Sequence, residues 1–328
     1  MILAGGQGKR MGILCQCRPK PALPFAGRFR VIDFSLSNCI HSGIGDIAVL
    51  IDFGSQVIAD YLDGGASWLP IDPERLHILE PKAEGRIIDF TEKPRIPATN
   101  LASMGIYIFN REVLLEHLAE DAAQPSSPHD FGYAVIPRMV ASDNVFAYQF
   151  NSYWQDVGTS GAYYEANMEL THEMPSFTLD GGWPIFTKDY SLPSPKVSQQ
   201  GSVNHSLIGP GCRGKVENSV LSPGVTVEEQ AVVRNSLIMS KTTRDKHSVV
   251  DHCILDEEVN IGKFCYVGFG ASLNPRNRDI TILGRSVTVP AHTAIGSDCQ
   301  ILPDVGPADF TTNTIPSGAV VSGKAHEH

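Results

Sequence analysis

The feature that most constrains this 328-residue chain is a six-residue periodicity in its carboxyl-terminal part. In three runs, an apolar residue recurs every sixth position, and a small or apolar residue stands four positions after most of them. The first set is Leu221, Val227, Val233, Met239, Val249, Leu255, Ile261, Val267, Leu283, Val289, Ile295 and Ile301, and the second is Val225, Ala231, Leu237, Cys253, Val259, Cys265, Ala271, Val287, Thr293, Cys299 and Val305. This hexapeptide pattern is typical of a parallel β-helix, in which each face turns a corner and the periodic residues stack inside. We therefore predict a left-handed parallel β-helix over 199–328, with loops leaving the coil at Ser240–Ser248 and Asn274–Asp279.

Composition and charge limit the classes of partner that the chain can have. The net charge of −10 argues against broad nucleic-acid binding, although a few local cations can still hold a phosphate. We see no long apolar run and no basic-then-apolar leader, so we expect neither a membrane span nor a signal peptide. The seven cysteines are odd in number and form no pair of Cys-x-x-Cys motifs, which disfavours a disulfide framework and a zinc site. Buried or incidental thiols explain Cys15 and Cys17 better than a redox pair does, and a reducing cytoplasm fits.

The amino-terminal part alternates strand and helix signals. This alternation favours a doubly wound α/β sheet, that is, a Rossmann-like domain over 1–190, joined to the β-helix by a proline-bearing linker at 191–198. We predict strands at Ile2–Ala4 and Asp46–Ile51, and helices at Asp33–Ile40, Val57–Leu62, Arg111–Leu118 and Gly158–Leu170, with Asp33 or Ser35 capping the first helix.

A glycine-rich turn follows the first predicted strand, with the sequence Leu3-Ala4-Gly5-Gly6-Gln7-Gly8. Glycines remove the Cβ atoms and let backbone N–H groups approach a polyphosphate. The spacing matches neither the dinucleotide-binding GxGxxG nor the P-loop template. A tight turn beside solvated charges is the simpler explanation, but Arg10 and the proline-flanked Lys20 favour a phosphate site.

The segments Leu3–Arg10, Arg18–Ala22 and Phe29–Cys39 resemble the signature of the sugar-phosphate nucleotidyltransferases, and of the bacterial glucose-1-phosphate adenylyltransferases in particular. The resemblance implies that Arg10 and Lys20 are catalytic and contact the triphosphate. It also implies a nucleotide-binding loop made of Leu3, Ala4, Gly5, Gly6 and Gly8. Members of the family respond to anionic metabolites, and the resemblance places effector binding on Arg18 and Arg30. Relatives carry basic or imidazole side chains where this chain has Cys17 and Pro24, so we expect weak activation by fructose 1,6-bisphosphate.

Three later motifs extend the resemblance. Glu92-Lys93-Pro94 ends an alternating strand, and ligands bind at the carboxyl ends of strands in open α/β sheets. The resemblance implies that Lys93 holds the sugar 1-phosphate, Glu92 a sugar hydroxyl, and Ser103 the glucosyl phosphate. It implies that Asp156, in Tyr153–Thr159, is one of two carboxylates that bind Mg²⁺, a cation that prefers oxygen ligands and bridges phosphates. The simpler alternatives are a surface Glu-Lys ion pair, a serine that satisfies nearby backbone, and a helix N-cap at Asp156.

The middle of the family's chain is absent from this sequence. The strand at 76–81 and the one at 85–94 resemble family segments that lie far apart in relatives, and only Lys82–Glu84 separate them here. The absent part holds the family's base-recognition segment and its other metal-binding aspartate. Deleting central strands should leave apolar faces uncovered. Either residues are missing from the sequence as read, or the protein carries an internal deletion.

The family implies ATP and glucose 1-phosphate as substrates, ADP-glucose and pyrophosphate as products, a role in glycogen or α-glucan synthesis, and an allosteric homotetramer. Two alternatives stay open, namely another sugar nucleotidyltransferase and a catalytically deficient regulatory subunit. An acyltransferase, which can also be built on hexapeptides, would need a catalytic histidine such as His205, His247, His252 or His292. These histidines are better explained as surface residues.

Overall fold

The structure is a computed structural model in which two compact units are described. One unit contains Met1–His77 and Tyr153–His328, and the other contains Ile78–Ser152. The described residues are 1–4, 8–44, 46–51, 54–62, 86–94, 96, 101–179, 182–187, 202–207, 213–270 and 279–323. The predicted linker at 191–198 and the junction at Lys82–Glu84 lie outside them. Within these residues, no helix is both long and apolar enough to cross a membrane.

The carboxyl-terminal part forms the predicted parallel β-helix. Its described strands fall into three sheets, and every pairing within them is parallel. The first sheet contains Ser202–Asn204, Lys215–Glu217, Val232–Arg234, Val249–Asp251, Tyr266–Phe269, Ala294–Gly296 and Thr314–Ile315. The second contains Val220–Leu221, Leu237–Ile238, Cys253–Leu255, Thr281–Leu283, Gln300–Ile301 and Val320–Val321. The third contains Thr226–Val227, Thr243–Arg244, Asn260–Ile261 and Thr288–Val289.

The inward register differs from the prediction around residue 239. Ile238 and Val250 face the core of the β-helix, whereas the prediction placed Met239 and Val249 there. Strands of neighbouring coils are offset by 17 residues at this point, one fewer than three hexapeptides, so a strict period of six slips by one residue. Leu237 and Met239 are also buried, but on the outer face, in a cluster shared with the amino-terminal part.

The shorter coil also explains why the loop predicted at Ser240–Ser248 is wrong. This segment contains the strand Thr243–Arg244, which pairs with Thr226–Val227 on one side and Asn260–Ile261 on the other. Strands of the neighbouring coils on either side of 271–278, by contrast, are offset by 28 residues, as Cys253 and Thr281 show. The second predicted loop, at Asn274–Asp279, lies outside the described residues except for Asp279.

The amino-terminal part of the same unit contains two short sheets and three helices. Strand β1 (Ile2–Leu3) pairs in parallel with β4 (Val49–Leu50), and β2 (Pro24–Phe25) pairs antiparallel with β3 (Phe29–Arg30). The helices are α1 (Val31–His41), α2 (Ser55–Leu62) and α5 (Ser160–Glu169). The parallel pair with helices agrees with the predicted α/β class. Helix α1 begins at Val31, before both predicted caps, and Arg30 is its N-cap residue. Asp33 lies in the first turn, and its carboxylate accepts a hydrogen bond from the Arg30 N–H at 2.8 Å.

The second unit is built around two helices, α3 (Arg111–Ala122) and α4 (Ile136–Ser142), with a π-helical turn at Phe131–Val135. Its strand-like segments pair through one described bridge, between Arg86 and Phe146. Large apolar side chains of these segments are exposed, with Ile88 at 90% and Ile108 at 88%. The exposed set also includes Ile96, Leu101, Ile106, Phe146, Tyr148 and Phe150. Apolar side chains of the described part of this unit are thus exposed, as we expect of a chain without the family's central strands.

Candidate active site

The glycine-rich turn is described at its two ends. Ala4 is buried and its N–H donates to the Leu50 carbonyl at 2.7 Å, whereas Leu3 of β1 is exposed. Gly5 and Gly6 lie outside the described residues. Gly8 precedes the 3₁₀ helix Lys9–Cys15. Its φ of 63° lies in the left-handed region, which favours glycine.

Space at Gly8 gives a second reason for glycine. A Cβ there would lie 2.9 Å from Cys15 Sγ and 3.3 Å from Lys20 Cβ, so the turn packs directly on both side chains. Burial raises the pKa of the Cys15 thiol to about 11, which keeps it neutral and makes it a packing residue. Gly8 thus brings the backbone of the glycine-rich turn against Lys20.

Arg10, Lys20 and Asp156 form one charged cluster in this unit. Lys20 Nζ lies 3.9 Å from Asp156 Oδ1. A Cβ built on Gly158 would lie 2.8 Å from Asp156 Oδ2 and 3.1 Å from Arg10 Nη2. Both charged groups therefore pack against Gly158, which has no side chain to separate them. Residues that are far apart in sequence are therefore assembled with two cations facing one carboxylate, an arrangement that suits a polyanionic ligand.

The alternative explanation for Asp156, a helix N-cap, is wrong. Helix α5 is capped by Thr159, whose Oγ1 accepts a hydrogen bond from the Ala162 N–H at 3.2 Å. The Asp156 side chain is 55% exposed. In the described part of the chain, no three His, Cys, Asp or Glu side chains are grouped to hold a metal ion. Asp156 offers one exposed carboxylate, the kind of oxygen ligand that Mg²⁺ prefers, and binding of Mg²⁺ by Asp156 stays a prediction.

In the second unit, Glu92 and Lys93 are close together. The strand predicted to end here is described only as a bridge at Arg86. Lys93 Nζ lies 2.7 Å from Glu92 Oε1 and 5.4 Å from the centre of the Tyr133 ring. The hydrogen bond to Glu92 raises the pKa of the ammonium, so Lys93 is charged at neutral pH. A Cβ on Gly132 would lie 2.5 Å from Glu92 Oε2, so the missing side chain of Gly132 leaves room for this carboxylate.

Ser103 makes local contacts. Its hydroxyl accepts a hydrogen bond from the Gly105 N–H at 3.1 Å and lies 3.0 Å from the Tyr107 hydroxyl. This is the backbone-satisfying role that was the simpler alternative. Its role toward a glucosyl phosphate stays a prediction.

Arg18 and Arg30, the predicted effector residues, both face carboxylates of the β-helix. Arg18 is only 2% exposed, and its guanidinium pairs with Asp256 and, at 2.7 Å, with Glu257. Burial opposes its charge, but the two carboxylates outweigh burial and raise the pKa of the guanidinium. Arg30 Nη2 lies 4.0 Å from Glu257 Oε1, and its guanidinium stacks over Tyr61. Effector binding by these arginines stays a prediction, and the structure adds an internal role for their charges.

Gly132 and Gly158 adjoin predicted site residues, and sequence reasoning missed this proximity. Gly158 belongs to the Tyr153–Thr159 motif, but a motif does not reveal that a Cβ would meet Arg10, which lies far away in the sequence. The available signal was a glycine two residues after Asp156, the predicted metal-binding carboxylate.

Comparison with known families agrees with this geometry. The family model described as "Nucleotidyl transferase" matches residues 1–75 and 69–173, in two stretches. The model described as "GlmU-like, C-terminal hexapeptide" matches residues 193–281. The first covers the charged cluster, and the second covers the β-helix as far as residue 281.

Curated relatives match almost from end to end. Proteins named glucose-1-phosphate adenylyltransferase are 33% identical in Acetivibrio thermocellus, covering 98% of this chain and 96% of the relative, and 34% identical in Thermomicrobium roseum, covering 98% and 97%. The one from Thermotoga maritima is 34% identical, with 98% and 97% covered. These alignments run over 411, 417 and 412 residues, more than the 328 of this chain, so the relatives contain residues that it lacks. Identity at this level over both domains shows that the chain belongs to the glucose-1-phosphate adenylyltransferase family.

Proposed function

We propose that this chain transfers the adenylyl group of ATP to α-D-glucose 1-phosphate, giving ADP-glucose and pyrophosphate for α-glucan synthesis. The observation that carries the proposal is the cluster of Arg10, Lys20 and Asp156 against Gly8 and Gly158, in a chain of this family.

The chemistry asks for charge stabilisation more than for covalent catalysis. An oxygen of the sugar phosphate forms a bond to the α-phosphorus of ATP, and the bond from that phosphorus to the bridging oxygen breaks. Pyrophosphate departs with the electron pair, so negative charge grows on it in the transition state. Arg10 and Lys20 place two positive charges where that growth can be opposed, which lowers the barrier by electrostatics and positioning.

The sugar phosphate is assigned to the second unit. Lys93 carries a charged ammonium, and Glu92 offers a carboxylate to a sugar hydroxyl. On binding, the phosphate replaces Glu92 as the partner of Lys93. That exchange leaves the Glu92 carboxylate available for a hydroxyl group, in the space that Gly132 provides.

The proposal also includes a metal ion, effectors, an oligomeric state and a compartment. Asp156 is the residue that would hold Mg²⁺, which when bound neutralises phosphate charge. Anionic metabolites act as effectors on a homotetramer, with weak activation by fructose 1,6-bisphosphate because Glu257 already faces both arginines. The cytoplasm is the proposed compartment, and the described cysteines, all of them free thiols, fit a reducing environment.

A substrate panel tests the proposed function. Purified chain is incubated with each nucleoside triphosphate and each of several sugar 1-phosphates, and nucleotide sugars are separated by chromatography. We expect ATP with glucose 1-phosphate to give the highest kcat/KM. A clear preference for another base or sugar would favour a different nucleotidyltransferase.

A second candidate, a catalytically deficient regulatory subunit, is favoured by one observation. The chain lacks residues that its relatives contain, and its strand-like segments expose Ile88 and Ile108. Intact mass spectrometry of the protein isolated from its source discriminates between the two. A mass well above 35.6 kDa means that the sequence as read lacks residues, and a mass of 35.6 kDa favours the subunit.

A further inference from the structure

The inference concerns how the segment that carries Lys20 is held. Arg18 lies two residues before Lys20 and is almost completely buried. Its Nη1 donates to Glu257 Oε2 at 2.7 Å, and its Nη2 donates to Asp256 and contacts Met239 Sδ at 3.6 Å. A buried guanidinium with two carboxylate partners fixes the geometry of the backbone that bears it.

The two carboxylates stand on a well-supported part of the β-helix. Asp256 follows the strand Cys253–Leu255, and its backbone N–H donates to the Leu283 carbonyl of the next coil at 3.0 Å. Its carbonyl accepts from Thr242 Oγ1 of the preceding coil at 3.0 Å, and its side chain accepts from the Glu257 N–H at 2.6 Å. Asp256 is therefore tied to both neighbouring coils, which makes it a rigid support.

The residues between Arg18 and Lys20 transmit this position. Pro19 restricts the backbone, and its ring packs on Gly54, where a Cβ would lie 2.6 Å from Pro19 Cδ. The Pro19 carbonyl then accepts from the Ala22 N–H at 2.9 Å, which starts the 3₁₀ turn Lys20–Ala22. These contacts restrict the backbone between Arg18 and Lys20, so a shift of Arg18 would also move Lys20.

We propose that Asp256 and Glu257 are positioning residues that hold Lys20 at the triphosphate site through Arg18. The kinetic part of this statement rests on the proposed function. The proposal makes the β-helix a working part of the active site, because the anchor of a catalytic lysine stands on its coils.

The test compares Glu257→Gln with Glu229→Gln. Glu229 pairs with Lys246 at 3.4 Å on the exposed surface of the same β-helix, so its variant is a matched control. We expect Glu257→Gln to lower kcat/KM for ATP by tenfold or more, since a misplacement of about 1 Å costs about a hundredfold. The KM for glucose 1-phosphate and the circular dichroism spectrum should be unchanged. Activity equal to that of the control would overturn the proposal.

A double variant separates positioning from general weakening. If Glu257 acts through Arg18, then Arg18→Gln combined with Glu257→Gln should be no less active than Arg18→Gln alone. Losses that multiply would overturn the proposal.

A measurement without substrates keeps the inference separate from the proposed function. The rate of Lys20 acetylation by acetic anhydride is read by mass spectrometry against Lys215 as the internal reference. Lys20 should react faster in Glu257→Gln, and in Asp256→Asn if that variant folds, than in the parent chain. If the parent makes no ADP-glucose, the proposed function fails while this measurement still decides the anchor. An unchanged rate in a folded Glu257→Gln would overturn it.

Discussion

Arg10 and Asp156 both pack against Gly158, which makes Gly158→Ala the most informative single substitution. The added methyl group would lie 2.8 and 3.1 Å from the two Asp156 carboxylate oxygens and 3.1 Å from Arg10 Nη2. Protein side chains essentially never pack at the shortest of these distances, so the carboxylate, the guanidinium or both must move. The backbone of Gly158 is not in the left-handed region, so alanine adds no backbone strain and the fold should survive.

The magnitude follows from the size of the displacement. The contacts at 2.8 and 3.1 Å must lengthen by roughly half an ångström before they become ordinary packing distances. A misplacement of about 1 Å costs about a hundredfold, or about 2.7 kcal/mol in the activation free energy, so the smaller movement here should cost about tenfold. We expect this loss in kcat for ADP-glucose formation, with little change in the KM for glucose 1-phosphate, because the sugar phosphate residues belong to the other unit.

The assay is the initial rate of ADP-glucose formation over a range of both substrates, with thermal unfolding as the check on folding. Gly182→Ala is the matched control, because its added methyl group would have no neighbour within 4 Å and its φ is also outside the left-handed region. The control should retain parental kcat. A folded Gly158→Ala enzyme whose kcat stays within about twofold of the parent would refute the reasoning, since it would mean that the packing against Gly158 has no catalytic role.

Three further predictions concern other parts of the chain. Arg10→Ala should lower kcat strongly while the KM for glucose 1-phosphate persists, because its charge meets charge that grows in the transition state; steady-state kinetics with an unchanged kcat would rule this out. Lys93→Ala should raise the KM for glucose 1-phosphate about ten- to a hundredfold, with a much smaller rise for ATP, and equal rises would count against the assignment. Hydrogen bonds from Ser127 and His129 lower the pKa of Asp121, so its stabilising effect is present above the ordinary pKa of 3.8 and is lost as the pH falls through the lower folded value. The difference in unfolding free energy between Asp121→Asn and the parent should therefore shrink below about pH 4 in urea titrations, and a constant difference would refute it.

The β-helix was predictable because its signal is local and repeated. Each coil buries residues at a fixed period, and Val227, Val233 and Ile261 lie inside as expected. The slip at Met239 was not predictable from the period, because the 17-residue offset depends on how the coils stack. The six-residue pattern predicts each face of the β-helix but not the number of residues in a full coil.

The candidate site was also predictable only in part. Arg10, Lys20 and Asp156 were found from motifs, and the structure brings them together. The partners of Arg18 were missed because they lie 238 and 239 residues away on the β-helix, where outward acidic side chains have no periodic signature. The fold thus supplies counter-ions for Arg18 that its motif does not reveal, and effector binding by Arg18 stays a prediction.

The most direct test of adenylyl transfer is a ³¹P NMR spectrum of the purified chain, intact mass 35.6 kDa, incubated with ATP, glucose 1-phosphate and Mg²⁺. The proposal predicts that the resonances of ADP-glucose and pyrophosphate rise together in equal amounts while those of both substrates fall, and that Arg10→Ala slows all four changes alike. A spectrum in which both substrates persist unchanged, from protein that is folded and has this mass, would contradict the proposed activity.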